Sequence, residues 1–143
     1  MSEPEHALTP FESVGLYRFG ATPDDCAEAL GPHERAWESR PMKQQYEQRG
    51  AVEVTYQQGV LVEVTCTEGA KLLAADIDVF GDPAALEKLR AADPGATEQK
   101  QYLNLPGLGL CLGGFGKRKL KEGRLAIAYA RSQSLSITFL GQV

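Results

Sequence analysis

The sequence predicts an α+β fold in which an antiparallel sheet of about five to seven strands packs one face against two short helices and leaves the other face open. Three observations carry this expectation. Two stretches, Gly20 to Asp25 and Gly81 to Pro83, carry helix-start residues directly after a short β-type run. The segments Ala51–Tyr56 and Val60–Cys66 alternate apolar and polar residues on either side of Gln57, Gln58 and Gly59. The last third holds further apolar runs separated by glycine and polar residues, the punctuation of short strands.

Taken in order, residues 1–12 read as a flexible start, and Val14–Phe19 as a first short strand. Gly20 breaks it. Thr22 then supplies a cap for free N–H groups, Pro23 suits the first helical position, and Asp24 and Asp25 favour the positive end of the helix dipole. Cys26, Ala27, Ala29 and Leu30 continue that helix, and Gly31 with Pro32 ends it. Residues 33–50 are polar, hold Trp37, and show no period, so they are expected to connect. Val52, Val54 and Tyr56 line one face of the next strand; Val60, Val62, Val64 and Cys66 line one face of its partner, making a β-hairpin.

Lys71–Ala75 and Ile77–Phe80 read as strands, and Gly81, Asp82 and Pro83 open a second helix over Ala84–Ala92, with Asp82 as its cap. Ala85, Leu86, Leu89 and Ala92 fall at helical spacing before Asp93, Pro94 and Gly95 stop it. Thr97–Gln101 is a polar lead-in. Leu108–Leu112, Arg124–Ala130 and Leu135–Leu140 read as strands, the last two joined by the turn Arg131–Ser134. Setting Phe19, Gly20, Thr22, Pro23 and Leu30 beside Phe80, Gly81, Asp82, Pro83 and Leu89 shows an internal echo that suits a duplicated β-α-β-β unit, although helix-start chemistry alone accounts for most of it.

At 143 residues the chain fits one domain, and 43% hydrophobic with 24% charged residues matches an ordinary globular composition. A net charge of -4 gives no overall attraction for phosphate backbones, so no nucleic-acid partner is expected. No run reaches the roughly 18 apolar residues of a membrane helix, and Met1–Pro10 lacks a charged-then-apolar signal pattern, so the expected setting is cytoplasmic, without a membrane partner.

The candidate chemistry is sparse. Cys26, Cys66 and Cys111 sit singly inside apolar patterns, which reads as buried thiols; a nucleophilic cysteine beside a histidine is the competing possibility. Only His6 and His33 are available for catalysis or metal binding, and no cofactor or metal is expected. Asp76 and Asp78 would share one side of an extended segment, yet two carboxylates are too few to hold a cation.

The loop 113–124 is rich in glycine and carries Lys117, Arg118, Lys119, Lys121 and Arg124, a field that would attract an anion or an acidic partner. It is not a P-loop, because Cys111 stands where the first glycine belongs and Arg118 where the hydroxyl residue belongs. Trp37, with Arg35, Arg40, Tyr46 and Arg49, forms the other candidate surface, of the composition enriched at protein interfaces.

The stretch Leu16, Tyr17, Arg18, Phe19, Gly20, Ala21, Thr22, Pro23, Asp24 through Leu30 and Gly31 resembles the helix start of the small outer-membrane assembly lipoproteins and of β-lactamase-inhibitor-like folds, without the lipid-anchor cysteine of the former. Ile77, Asp78, Val79, Phe80, Pro83 and Leu105 to Leu112 resemble small uncharacterised cytoplasmic proteins of bacteria, some associated with toxin immunity. The resemblance implies a binding protein without catalysis. The expected function is therefore a protein-binding module of the immunity-protein or adaptor type, meeting a toxin or another subunit through the sheet face or the basic loop. The expected contacts are Lys117, Arg118, Lys119, Lys121, Arg124 and Trp37. Two alternatives stay open: a small enzyme or ligand carrier with a pocket near Cys66, Cys111, Asp76 and Asp78, and a subunit that homo-oligomerises through a sheet edge.

Overall fold

The computed structural model of the chain describes residues 5–41, 43–99, 101–115 and 123–133. Two helices and mostly antiparallel strands bear out the α+β class, but the strands divide between two sheets of five and eight rather than forming one of five to seven. In chain order the elements are β1 (Glu5–Thr9), β2 (Ser13–Val14), β3 (Tyr17–Arg18), α1 (Pro23–Leu30), β4 (Arg35–Ser39), β5 (Gln44–Arg49), β6 (Val52–Gln57) and β7 (Val60–Thr67). There follow β8 (Lys71–Ala74), β9 (Ile77–Asp78), α2 (Ala85–Ala92), β10 (Thr97–Gln99), β11 (Tyr102–Leu105), β12 (Leu110–Gly113) and β13 (Leu125–Tyr129). The expected strand Leu135–Leu140 lies outside the described residues.

The larger sheet runs β10-β11-β12-β13-β7-β6-β5-β4 and is antiparallel throughout; the smaller runs β3-β2-β1-β8-β9, with β1 and β8 parallel. The inner face of the larger sheet carries Val52, Val54, Val64 and Cys66 from one half and Leu103, Leu105, Leu110, Leu112, Ala126 and Ala128 from the other. These pack with Leu8, Val14, Tyr17, Leu72 and Ala74 of the small sheet and with Cys26 of α1 and Leu89 of α2 in one continuous cluster. The small sheet and both helices thus share one side of the large sheet.

α1 begins where its sequence requires. The Thr22 hydroxyl accepts from the Asp25 N–H at 3.2 Å and the Asp25 carboxylate accepts from the Thr22 N–H at 3.1 Å, a reciprocal cap. Gly31, at φ 85, closes the last turn with its N–H on the Ala27 carbonyl. α2 departs from expectation: its N-cap is Ala84, and Asp82 instead accepts the Ala84 N–H at 2.8 Å in the turn just ahead.

Several expectations are corrected. The supposed connecting segment 33–50 is the β4–β5 hairpin at the sheet edge, where strands polar on both faces are held by backbone pairing and leave no alternation to read. The supposed flexible start holds β1, whose His6 and Leu8 turn inward beside β8, a partner remote in sequence. Thr97–Gln99 of the polar lead-in is the β10 strand, paired with β11, and the strand expected from Leu108 starts at Leu110. A bulge at Thr55/Tyr56 sets Tyr56 opposite Leu61, so Leu61 is 0% exposed and Val60 is 37% exposed, the reverse of simple alternation.

Candidate functional site

The outer face of the large sheet is the surface that the register assembles. One row crosses five strands as Trp37, Tyr46, Thr55, Glu63 and Tyr129, each opposite the next. Beside it runs Arg35, Gln48, Glu53, Thr65, Ile127, Cys111, Asn104 and Thr97. Both helices lie on the opposite side. Phe11 and the turn Arg131–Gln133 reach this face at one end, the Phe11 ring edge-on to Tyr129 at 6.1 Å and under the Arg131 guanidinium at 4.2 Å, and Thr55, Cys111 and Tyr129 on the face are buried.

At the other end Trp37 is 37% exposed. Its ring stacks on Tyr46 at 5.4 Å and an interplanar angle of 17°, and the Arg35 guanidinium stands 5.1 Å from its centroid. A depression of about 290 Å³ opens beside it, lined by Arg35, Trp37, Gln48, Val52, Glu53 and Thr67 among others. The expected aromatic and arginine surface therefore forms around Trp37, Arg35 and Tyr46. Arg49 does not belong to it, because alternation turns it to the inner face.

Glu53 and Glu63 lie in the middle of the outer face, on neighbouring strands and diagonal to one another, since Glu53 faces Thr65 and Glu63 faces Thr55. Burial pushes the Glu53 carboxyl above the usual range, with Arg35 drawing it back. Burial raises Glu63 as well, and repulsion from Glu53 adds to it. The Tyr46 phenol is raised by burial and then by the same two carboxylates. Nothing in the linear sequence singles out this pair, because a glutamate alternating with valine reads as an ordinary solvated face until the register sets two on neighbouring strands.

Arg49 sits inside a second polar cluster that the sequence also hid. Its side chain is 10% exposed; it pairs with Glu47 at 3.2 Å and donates from Nε to the Gly31 carbonyl at 3.0 Å. The Tyr56 hydroxyl donates to the same Glu47 at 2.8 Å, and burial first, then the bonds to Cys26 and Glu47, drives its phenol far upward. The cluster fastens the end of α1 to β5 and β6. Charges two positions apart on one strand, Glu47 and Arg49, are the signal that could have revealed it.

The basic loop offers less than expected. Lys117, Arg118, Lys119 and Lys121 lie outside the described residues, and Arg124 is engaged within the chain. Arg124 pairs with Glu68 at 2.8 Å, donates to the Phe80 carbonyl at 3.0 Å and stands over the rings of Phe80 and Phe115. All three cysteines are buried and free; burial pushes both Cys66 and Cys111 up to about 12. Cys66, opposite Ala126, faces inward, whereas Cys111, opposite Ile127, faces outward, so the sheet separates them. Asp76, at φ 63, occupies the turn between β8 and β9, and Asp78 accepts the Gly81 N–H at 2.9 Å, so the pair expected on one extended segment does not form. His6 is buried near Tyr17, and His33 approaches Glu47 at 3.5 Å.

Among the described residues no group of three or more His, Cys, Asp or Glu is arranged to hold a metal ion, and no helix is long and apolar enough to cross a membrane. Comparison of the chain with protein-family models, curated proteins and solved structures found no match.

Proposed function

We propose that this chain is a non-enzymatic protein-binding module, of the immunity-protein or adaptor kind, that meets its partner through the outer face of the eight-stranded sheet. The observation that carries the reading is that face itself: an exposed tryptophan stacked on a tyrosine at one end, and polar and apolar side chains across several strands, with both helices on the other side. Large, stiff aromatic side chains with arginine beside them are the groups that anchor protein interfaces. The basic loop falls behind the sheet face as a contact because Arg124 already serves the fold. The enzyme reading loses its nucleophile for a similar reason, since a thiol raised to about 12 is protonated at neutral pH.

A cytoplasmic bacterial setting with a toxin as partner is the form of this reading that the immunity-type resemblance favours. A duplicated unit fits it too. The first half runs three short strands, a helix and a four-stranded meander, the second two short strands, a helix and a four-stranded meander, and the two meanders meet at β7 and β13 in a palindromic order. Such a duplication would present one wide, continuous face to a partner. The test is photo-crosslinking in lysate of the cells that make the chain, with p-benzoylphenylalanine placed at Thr65 on the outer face or at Glu28 on α1. A discrete adduct from Thr65 and none from Glu28 is expected; adducts from neither position, or only from Glu28, would remove the sheet face as the contact.

A further inference from the structure

We propose that the cleft between α1 and the β2–β3 turn binds a free apolar α-amino acid of about the size of leucine, its carboxylate met by Arg18, its ammonium by Asp25 and its side chain by the apolar lining. The site belongs to the helix side of the large sheet, so it stands independently of the outer face as a docking surface.

Shape is the first argument. A cavity of about 300 Å³ opens there, with Leu16, Phe19, Ala21 and Ala29 on its walls and the buried Cys26 among its lining. Small-molecule pockets begin at about this size and are mostly apolar with a few polar groups. Leu16 is 63% exposed, more than any other large hydrophobic side chain among the described residues. It sits in the tight turn between Val14 and Tyr17, whose first residue, Gly15, has φ 57, so the backbone holds the leucine at the cleft instead of letting it fold away. An apolar guest in the cleft takes that side chain out of water.

Charge complementarity decides which guest. Arg18 and Asp25 line the same cavity, yet they form no ion pair with one another. Arg18 has no hydrogen bond or ion pair among the described residues. The Asp25 carboxylate accepts the Thr22 N–H of the helix cap at 3.1 Å and has no cation beside it. One guanidinium and one carboxylate, both unpaired at one apolar cavity, complement a molecule that carries both charges next to an apolar group, and an α-amino acid does so. The planar guanidinium suits the amino acid's carboxylate, and the second oxygen of Asp25 suits its ammonium. A fatty acid is the poorer guest because its headgroup would meet Asp25 without a counter-charge; an alkyl amine would leave Arg18 unanswered in the same way.

The test uses the full chain, labelled with ¹⁵N, and L-leucine as the probe. Amide shifts are followed while leucine, 4-methylpentanoate, which keeps the side chain and carboxylate without the ammonium, and 3-methylbutylamine, which keeps the side chain and ammonium without the carboxylate, are titrated in turn. Saturable shifts for leucine centred on the β2–β3 turn and the start of α1, with each analogue weaker by about tenfold or more, are the expected result. Arg18→Gln is expected to weaken leucine by about tenfold and leave 3-methylbutylamine unchanged, and Asp25→Asn to weaken leucine similarly and leave 4-methylpentanoate unchanged. Asparagine still accepts the Thr22 N–H, so α1 keeps its cap, which circular dichroism checks. Leucine shifts that do not saturate or that centre elsewhere, an analogue as tight as leucine, or a folded variant that binds leucine as wild type does would each overturn the proposal.

Discussion

The raised carboxyl of Glu63 makes a statement about stability. A folded-state pKa above the unfolded one gives a contribution that is fully present below the unfolded pKa and lost as pH rises through the folded value. At neutral pH the raised Glu63 carboxyl therefore opposes folding. Glu63→Gln is expected to raise the melting temperature at pH 7, and the gap between variant and wild type is expected to close near pH 4, about where a free glutamate protonates. A wild type more stable than the variant at pH 7 would mean that Glu63 has a favourable counter-charge in the free chain. Trp37 was legible in the sequence as a surface residue because an aromatic among arginines stands out. Glu53 and Glu63 were not, since their meaning lies in a cross-strand relation that no linear spacing displays.

Among the elements, those with local chemistry were the ones the sequence disclosed. Thr22, Pro23 and Asp25 specify α1 within four positions, and Val52, Val54 and Tyr56 specify β6 by alternation. The β4–β5 hairpin escaped because Arg35, Glu38, Gln45 and Glu47 leave neither face apolar; its support comes from pairing with β6. Leu61 escaped for a different reason. The bulge at Thr55/Tyr56 takes it out of phase with Glu63 and sets it on the inner face with Val64, and only the partner strand reveals that shift. Leu61 also ties β7 to the approach to α1, its N–H donating to the Ala21 carbonyl at 2.8 Å and its carbonyl accepting from Gly20 at 2.9 Å. Leu61→Ala is expected to cost about 2–5 kcal/mol in denaturant unfolding, and Val60→Ala, at an exposed position, far less. Comparable losses at both positions would contradict the bulged register.

Across the whole molecule the two meanders join along β7 and β13, which pair from Leu125 opposite Thr67 to Tyr129 opposite Glu63. One hydrophobic cluster spans that seam, with Val64 and Cys66 on one side and Ala126 and Ala128 on the other. A shared core of this kind makes the halves interdependent, so unfolding should be a single transition. Native-state hydrogen exchange is expected to find the slowest amides in β6, β7, β12 and β13 and faster ones at the edges β4 and β10. Slow exchange confined to one meander would instead show the halves opening independently. The two helices and the central hairpin were legible locally, but the partnership of β7 with β13 joins segments separated by α2 and five strands, and nothing local encodes it.

The same seam has a consequence for biosynthesis. The chain leaves the ribosome from its N-terminus, so β4 to β7 are complete while β13 is still unmade. During that interval β7, with Leu61, Val62, Val64 and Cys66 along it, is an unprotected sheet edge rather than the centre of one. Nascent chains on one messenger would then display identical, unpaired apolar strands close together, each able to capture its neighbour in the place reserved for β13. The palindromic sheet that gives the finished protein a broad, uninterrupted face thus concentrates its aggregation hazard in the time between the synthesis of its two middle strands.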